Sequence, residues 1–243
     1  ILDAINYMFP SVNVTKEDVE SSWAGVRPLI SQEGKGASEI SRKDETWVSD
    51  SGLITIAGGK LTGYRKMAET VLDLVAKQFR DEGYKHFGSC YTEKMPISGG
   101  RVGGSTKFSS YISKTKEKAI GTGLSDAEAR EIISTYGSNA PLLFEIARKN
   151  KEKASEIELP LPVLAKLGYA IEYELAYTPL DFFNRRTGMV LFDIKHVHEY
   201  KNQVISYMKQ VLHWTEQQTE IYTKELETAL HDAAYPQSEL VTN

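Results

Sequence analysis

Cysteine is nearly absent from the 243 residues, since Cys90 is the only one and cannot form an internal disulfide. The sequence also has no CxxC pair and no cluster of Cys and His with the spacing of a zinc site. A single thiol fits a reducing compartment and argues against a disulfide-stabilised secreted protein. The composition therefore predicts no metal site.

Long apolar runs and an excess of positive charge are also lacking. No stretch approaches the roughly 18 apolar residues that span a bilayer, and no signal peptide begins the sequence. The net charge is −4 with both signs interspersed, which lacks the basic footprint of a nucleic-acid-binding protein. We expect a cytoplasmic protein without a nucleic-acid partner, and contact with the inner face of a membrane stays open.

Apolar residues make up 41% of the sequence and aromatic residues 10%, enough to form one large domain or two small ones with a core. The first residues lack an initiator Met and enter directly an amphipathic helical pattern over 2–9. We interpret the sequence as part of a longer polypeptide.

The first third of the chain mixes strand and helix patterns. Residues 19–30 combine β-branched and aromatic residues and predict an extended segment, and the Gly- and Ser-rich residues 31–44 predict a loop. Two short apolar runs, 45–50 and 52–57, flank a turn and predict paired strands. From Leu61 onward, apolar residues recur every three or four positions and predict a long helix that ends near Gly83.

The remaining two-thirds of the chain has an almost entirely helical pattern after a Gly-rich segment at 84–106. The predicted helices cover 107–119, 126–136, 139–149, 162–176, 179–188, 194–212 and 215–232. These patterns predict an α+β fold, in which strands and a long helix from a truncated domain precede an all-α helical domain. The predicted domain limits are 1–88 and 105–243, with a linker at 89–104.

The strongest chemical signal is the segment GLITIAGGKLTGYRKMAE at 52–69. A strand that enters a helix through Gly58 and Gly59 leaves the first N–H groups of the helix without partners inside it and lets a ligand approach closely. Helix N-termini favour negative charge, and Lys60 and Thr62 add a cation and a hydroxyl. The pattern indicates an anion site, although a plain turn with a solvated Lys60 explains the same spacing.

The same segment, with WAGVRPLI at 23–30, resembles the flavin- and substrate-contacting part of the FAD-dependent glycerol-3-phosphate dehydrogenases, a family that includes the bacterial alpha-glycerophosphate oxidases. The stretch YTPLDFFNRRTGMVLFD at 177–193 resembles the helical C-terminal domain of that family. One departure is Gly63, where the family usually has Thr, so a hydroxyl contact is lost at that position.

The resemblance implies roles for individual residues. Arg27, Arg42 and Lys60 would contact the phosphate and hydroxyls of the substrate, and the turn would contact the flavin through Gly58, Gly59, Lys60, Leu61 and Thr62. Without the resemblance, Arg27 could be a structural ion-pair partner and Arg42 a solvated loop residue. Arg65 and Lys66 are expected to point to solvent or to a carboxylate. The resemblance assigns no catalytic base to this sequence.

The implied activity is oxidation of sn-glycerol 3-phosphate to dihydroxyacetone phosphate by hydride transfer to FAD, with electrons passed on to oxygen or a quinone. The Gly-x-Gly-x-x-Gly fingerprint that holds the FAD pyrophosphate is absent. The implied partner is therefore an N-terminal FAD-binding half, without which we expect no turnover, and a homo-oligomer stays open. Two alternatives are a helical docking module without activity and a flavoenzyme that oxidises amines or hydroxy acids without phosphate specificity.

Overall fold

The computed structural model describes residues 1–25, 30, 44–84 and 87–235. The chain forms two compact units, one built from residues 1–24 and 97–243 and the other from residues 25–96. Residues 1–24 thus group with the helical residues that follow position 96. The predicted domain limits of 1–88 and 105–243 concern independent folding and stay predictions.

The smaller unit contains a β-hairpin and a long helix. Strand β1 (Glu45–Val48) pairs antiparallel with β2 (Ile54–Ala57), in a register that places Glu45 opposite Ala57. The turn between them closes through Gly52, whose φ is +84°. A single 3₁₀ turn then leads into helix α2 (Tyr64–Asp81). The paired strands and the long helix are confirmed.

The described residues of the larger unit form helices and connecting loops, without a strand. Its α-helices are α1 (Leu2–Met8), α3 (Phe108–Lys116), α4 (Asp126–Tyr136), α5 (Ala140–Glu156), α6 (Leu161–Glu174), α7 (Met189–Phe192), α8 (Ile194–Leu212) and α9 (Glu216–Ala234). A π-helix, Asp181–Arg186, lies between α6 and α7. The α+β fold class is confirmed, with one two-stranded sheet followed by helices.

Two apolar clusters form the core of the larger unit. One is built around Phe182, Phe183 and Leu226, and the other around Ile132 and Phe144. Helices α5 and α6 contribute to both clusters, so this helical pair joins them. The pair packs closely, since a Cβ added at Gly168 would lie 2.8 Å from Cγ2 of Ile146.

The strand expected within residues 19–30 is not formed by the described part, residues 19–25 and 30. The segment instead bonds to the helical unit, where the Ser22 N–H donates to the Ala233 carbonyl at 2.8 Å and Ser21 Oγ donates to the Leu191 carbonyl at 2.5 Å. The β-branched residues of the segment predicted a strand, but its described hydrogen bonds go to carbonyls near the ends of α7 and α9. In the ranges that the structure describes, no helix has the length and apolar character needed to cross a membrane.

Candidate functional site

The glycine turn after β2 depends on both of its glycines. Gly58 and Gly59 have φ values of +86° and +77°, a region that side chains disfavour. A Cβ added at Gly59 would also lie 3.0 Å from Sδ of Met67 and 3.3 Å from Cβ of Asp44. Backbone conformation therefore favours glycine at position 59, and a side chain there would also crowd Met67 and Asp44.

Lys60, Leu61 and Thr62 follow this turn at the start of the helical segment. Lys60 is extended, with φ −95° and ψ 145°, and its carbonyl accepts from the Gly63 N–H at 2.8 Å. All three side chains are exposed, and Leu61 retains 91% of its accessible surface. Within the described ranges, the Lys60 ammonium has no carboxylate partner, so the turn presents an uncompensated positive charge.

The next two cations, Arg65 and Lys66, serve the smaller unit itself. The Arg65 guanidinium donates to the carbonyls of Thr92 and Met95, which ties the end of this unit to α2. Arg65 was expected to meet solvent or a carboxylate, and the carbonyl partners correct that expectation. Lys66 pairs with Glu69 at 3.0 Å, and its hydrogen bond to that carboxylate raises the pKa of Lys66.

The sequence-predicted site is only partly within the described residues. Gly58, Gly59, Lys60, Leu61 and Thr62 lie together in one exposed turn. Arg27 and Arg42 lie outside the described residues. Their convergence with Lys60 on one substrate stays a prediction.

The adjacent basic residues Arg185 and Arg186 already have partners within the larger unit. Arg185 pairs with Asp181 at 2.7 Å, and Arg186 donates twice to the Glu174 carbonyl, at 3.0 and 2.6 Å. These bonds stabilise the π-helix and its connection to α6. The pair therefore has a structural role.

Glu174, Tyr136 and Asn139 border a cleft that the sequence patterns did not indicate. These residues are separated by up to 38 positions, so no local motif connects them. The only available signal was a pair of carboxylates, Glu172 and Glu174, at the end of a largely apolar helical pattern.

Comparison with known proteins places the chain in a family. Residues 90–219 match the family model described as the C-terminal domain of alpha-glycerophosphate oxidase. The aerobic glycerol-3-phosphate dehydrogenase of Bacillus subtilis (strain 168) is 51% identical over 236 residues, which is 97% of this chain and 42% of that protein. The protein of the same name from Staphylococcus aureus (strain USA300) is 49% identical, again over 97% of this chain and 42% of the relative.

A solved structure agrees with these matches. The glycerol-3-phosphate dehydrogenase of Bacillus halodurans, determined in complex with FAD, superposes with a TM-score of 0.86 at 41% identity. The match covers 99% of this chain and 45% of that protein. The chain thus spans less than half the length of the relatives that it matches.

The resemblance drawn from GGKLT and GVRPL is confirmed by these matches. The family model alone covers more than half of the chain. The chain therefore belongs to the family defined by the C-terminal domain of alpha-glycerophosphate oxidase.

Proposed function

We propose that this chain supplies the C-terminal part of an FAD-dependent enzyme that oxidises sn-glycerol 3-phosphate to dihydroxyacetone phosphate. The observation that carries the proposal is the agreement, over 99% of the chain, with a glycerol-3-phosphate dehydrogenase solved with FAD. Two further relatives named aerobic glycerol-3-phosphate dehydrogenase match nearly the whole chain. Electrons would pass from the reduced flavin to oxygen or a quinone.

The glycine turn is suited to contact the negatively charged pyrimidine edge of a reduced flavin. Gly58 and Gly59 have no side chains, so a ligand can reach the backbone N–H groups at the start of the helical segment. When bound, FAD would supply hydride acceptance. The helix N-terminus and Lys60 would then stabilise the negative charge that a reduced flavin carries on its pyrimidine edge.

In the proposal, positively charged side chains bind the phosphate group of the substrate. A phosphate monoester carries nearly two negative charges, and charge-assisted bonds from guanidinium and ammonium groups are the strongest available to it. Lys60 has a free ammonium among the described residues. In the proposal, Arg27 and Arg42 add two guanidinium groups to it.

The smaller unit also requires a partner. None of its described side chains is fully buried, and large apolar residues are exposed, including Leu53 at 65% and Leu72 at 63%. Exposed apolar surface of this kind marks an interface. We propose that an FAD-binding half, equivalent to the remaining length of the relatives, covers it.

Substitution of Lys60 tests the proposal in the polypeptide that joins this chain to its FAD-binding half. Removing one partner of a buried charge pair costs about 2–5 kcal/mol, so Lys60→Met should lower kcat/KM for glycerol 3-phosphate by roughly 30- to several-thousand-fold. Activity on glycerol should change far less, because glycerol has no phosphate. Steady-state kinetics on both substrates, with FAD content measured by absorption, gives the result.

Lys77→Met is the matched control, since Lys77 is an exposed lysine on α2 without an ion-pair partner in the described ranges. It should leave both rates within about twofold, as expected for a surface substitution. If Lys60→Met leaves the ratio of the two kcat/KM values unchanged, the phosphate contact is wrong. If wild type oxidises glycerol and other hydroxy compounds as well as glycerol 3-phosphate, a flavoenzyme without phosphate specificity is favoured.

A further inference from the structure

A cleft of about 320 Å³ opens on the larger unit, where the loop after residue 96 meets α4, α6 and the turn at Gly137–Asn139 between α4 and α5. Its size is at the lower end of small-molecule sites. Glu174 is the one charged residue among those that line it, and no Lys, Arg or His is among them. The residues used below are Ser98, Gly99, Tyr136, Asn139, Tyr169 and Glu174.

The loop is held against the helices by a close glycine contact. Gly137 has φ +53°, and a Cβ added there would lie 2.1 Å from the Gly99 carbonyl oxygen. That carbonyl accepts from the Ser138 N–H at 2.8 Å. The Asn139 amide donates to Ser98 Oγ at 2.8 Å and to the Tyr169 hydroxyl at 2.9 Å. The walls of the cleft are therefore fixed before any ligand arrives.

The Glu174 carboxylate lacks a hydrogen-bond donor among the described residues. Its nearest cation is Arg186, with Nε 3.9 Å from Oε2, and this guanidinium already donates to the backbone carbonyl of Glu174. The Glu174 side chain is only 33% exposed. A carboxylate that has lost much of its water without gaining a donor favours a cation beside it.

Two tyrosines, Tyr136 and Tyr169, line the same space. Burial, with added repulsion from the carboxylates of Glu174 and Glu131, raises the pKa of Tyr136, so the phenol stays neutral. No hydrogen bond to the Tyr136 hydroxyl occurs among the described residues, and the Tyr169 hydroxyl is fixed by Asn139. Both oxygens can accept from an N–H donor.

Aromatic rings form an adjoining wall. The rings of Tyr136 and Tyr169 meet edge to face with centroids 5.2 Å apart, and Tyr173 stacks on Tyr169 at 5.1 Å. The negative face of such rings attracts a nearby cation. Tyr136 and Tyr169 line the cleft, so a cation bound there would lie near their rings as well as near the carboxylate.

We propose that this cleft binds a primary ammonium group, carried either by a small amine or by a lysine side chain. Glu174, Tyr136 and Tyr169 all line the cleft and carry oxygens that can accept from the N–H donors of an ammonium group, and no positive side chain lines the cleft to oppose it. The site lies entirely within the larger unit and does not depend on the proposed flavin chemistry.

Calorimetric titration with n-butylammonium and with n-butanol, its neutral analogue of similar shape, tests the charge. We expect the ammonium to bind about tenfold tighter or more, because a charge-assisted bond to a partly buried carboxylate replaces a neutral one. Glu174→Gln should bring the two ligands to equal affinity. Glu172→Gln, an exposed carboxylate on the same helix, should leave the preference intact.

Equal affinity of both ligands in the wild-type chain overturns the proposal, and so does an undiminished preference in Glu174→Gln. Circular dichroism checks that each variant is folded. If Glu174→Gln does not fold, Tyr136→Phe replaces it and must weaken n-butylammonium at least threefold. A lysine capped at both backbone ends separates the sources: tighter binding than n-butylammonium indicates a protein lysine, and weaker binding indicates a free amine.

Discussion

Single glycines with positive φ determine how the loop at 97–104 reaches the helices, and Gly137 is the tightest of them. Gly137→Ala would place a Cβ 2.1 Å from the Gly99 carbonyl oxygen, whereas Gly121, with φ +79°, has nothing within 4 Å of such a Cβ. Gly121→Ala should therefore cost only the conformational strain, about 1–2 kcal/mol. Gly137→Ala should cost at least about 2 kcal/mol more. Urea unfolding of both variants measures the difference, and equal losses would show that the loop yields.

Residues whose role depends on neighbours in sequence were predicted, and residues whose role depends on tertiary contacts were not. The Gly58-Gly59 turn is a local conformation, and the sequence predicted it because β2, two glycines and an amphipathic helix are contiguous. Glu174 was not predicted, since its setting depends on Tyr136 and Tyr169, residues from two helices. Side chains that meet only through tertiary packing leave no mark in a local pattern.

Helix boundaries followed the capping residues where these were strong. The helix predicted over 126–136 begins at Asp126, where Ser125 Oγ accepts from the Glu128 N–H and Glu128 Oε2 accepts from the Ser125 N–H. Helix α5 extends to Glu156, seven residues beyond the predicted end at 149, because its polar second half interrupts the apolar period. Its stop comes at Glu158, which adopts φ +54°.

The π-helix shows where a periodic pattern is insufficient. Residues 179–188 predicted an ordinary helix, and Asp181–Arg186 forms a π-helix instead. Phe182 and Phe183 are adjacent and both fully buried, which requires packing on more than one side of the segment. The Thr187 N–H donates to the Phe182 carbonyl at 3.0 Å, five residues back. Sequence spacing records which residues are apolar but not the tertiary contacts that widen a turn.

Asp181 stabilises the start of this segment, and its contribution should depend on pH. Its Oδ2 accepts from the N–H groups of Tyr177 and Thr178, and its Oδ1 accepts from Arg185. Burial alone would raise the pKa of Asp181, but these hydrogen bonds outweigh it and hold the pKa below the ordinary 3.8. Asp181→Asn should lose about 1–2 kcal/mol of unfolding free energy at pH 6.

Because the pKa is lowered in the folded state, this stabilisation is present above pH 3.8 and is lost as the pH falls through the lowered value. The gap between wild type and Asp181→Asn in urea unfolding should therefore narrow as the pH falls below 3.8. Glu152→Gln, which removes an exposed carboxylate of α5 that has no ion-pair partner among the described residues, controls for the general loss of negative charge. If the difference in unfolding free energy between wild type and Asp181→Asn stays constant with pH, packing and not the charge of Asp181 causes the loss of stability.

At the scale of the whole molecule, the two units differ in how much they bury. Every fully buried side chain of the described residues belongs to the larger unit, from Ile112 onward. The sequence predicted the order of strands, long helix and helical domain, because periodicity and glycine content report those features directly. It could not predict that the described part of the smaller unit lacks a buried core, because α2 is strongly amphipathic, as a helix with a buried apolar face would be.

This difference predicts how the isolated chain responds to limited trypsin digestion. Both units expose basic residues, such as Lys77 and Lys94 in the smaller and Lys149 and Lys195 in the larger, so the rate of cleavage depends on local opening and not on the number of sites. Segments with few buried apolar contacts open at low free-energy cost. The first cuts should therefore fall within residues 25–96 and leave a resistant helical fragment that begins near Ile97. N-terminal sequencing and mass spectrometry identify the fragments. A resistant product made of residues 25–96 would mean that the smaller unit is stable alone, and it would remove the argument that a partner covers its exposed apolar residues.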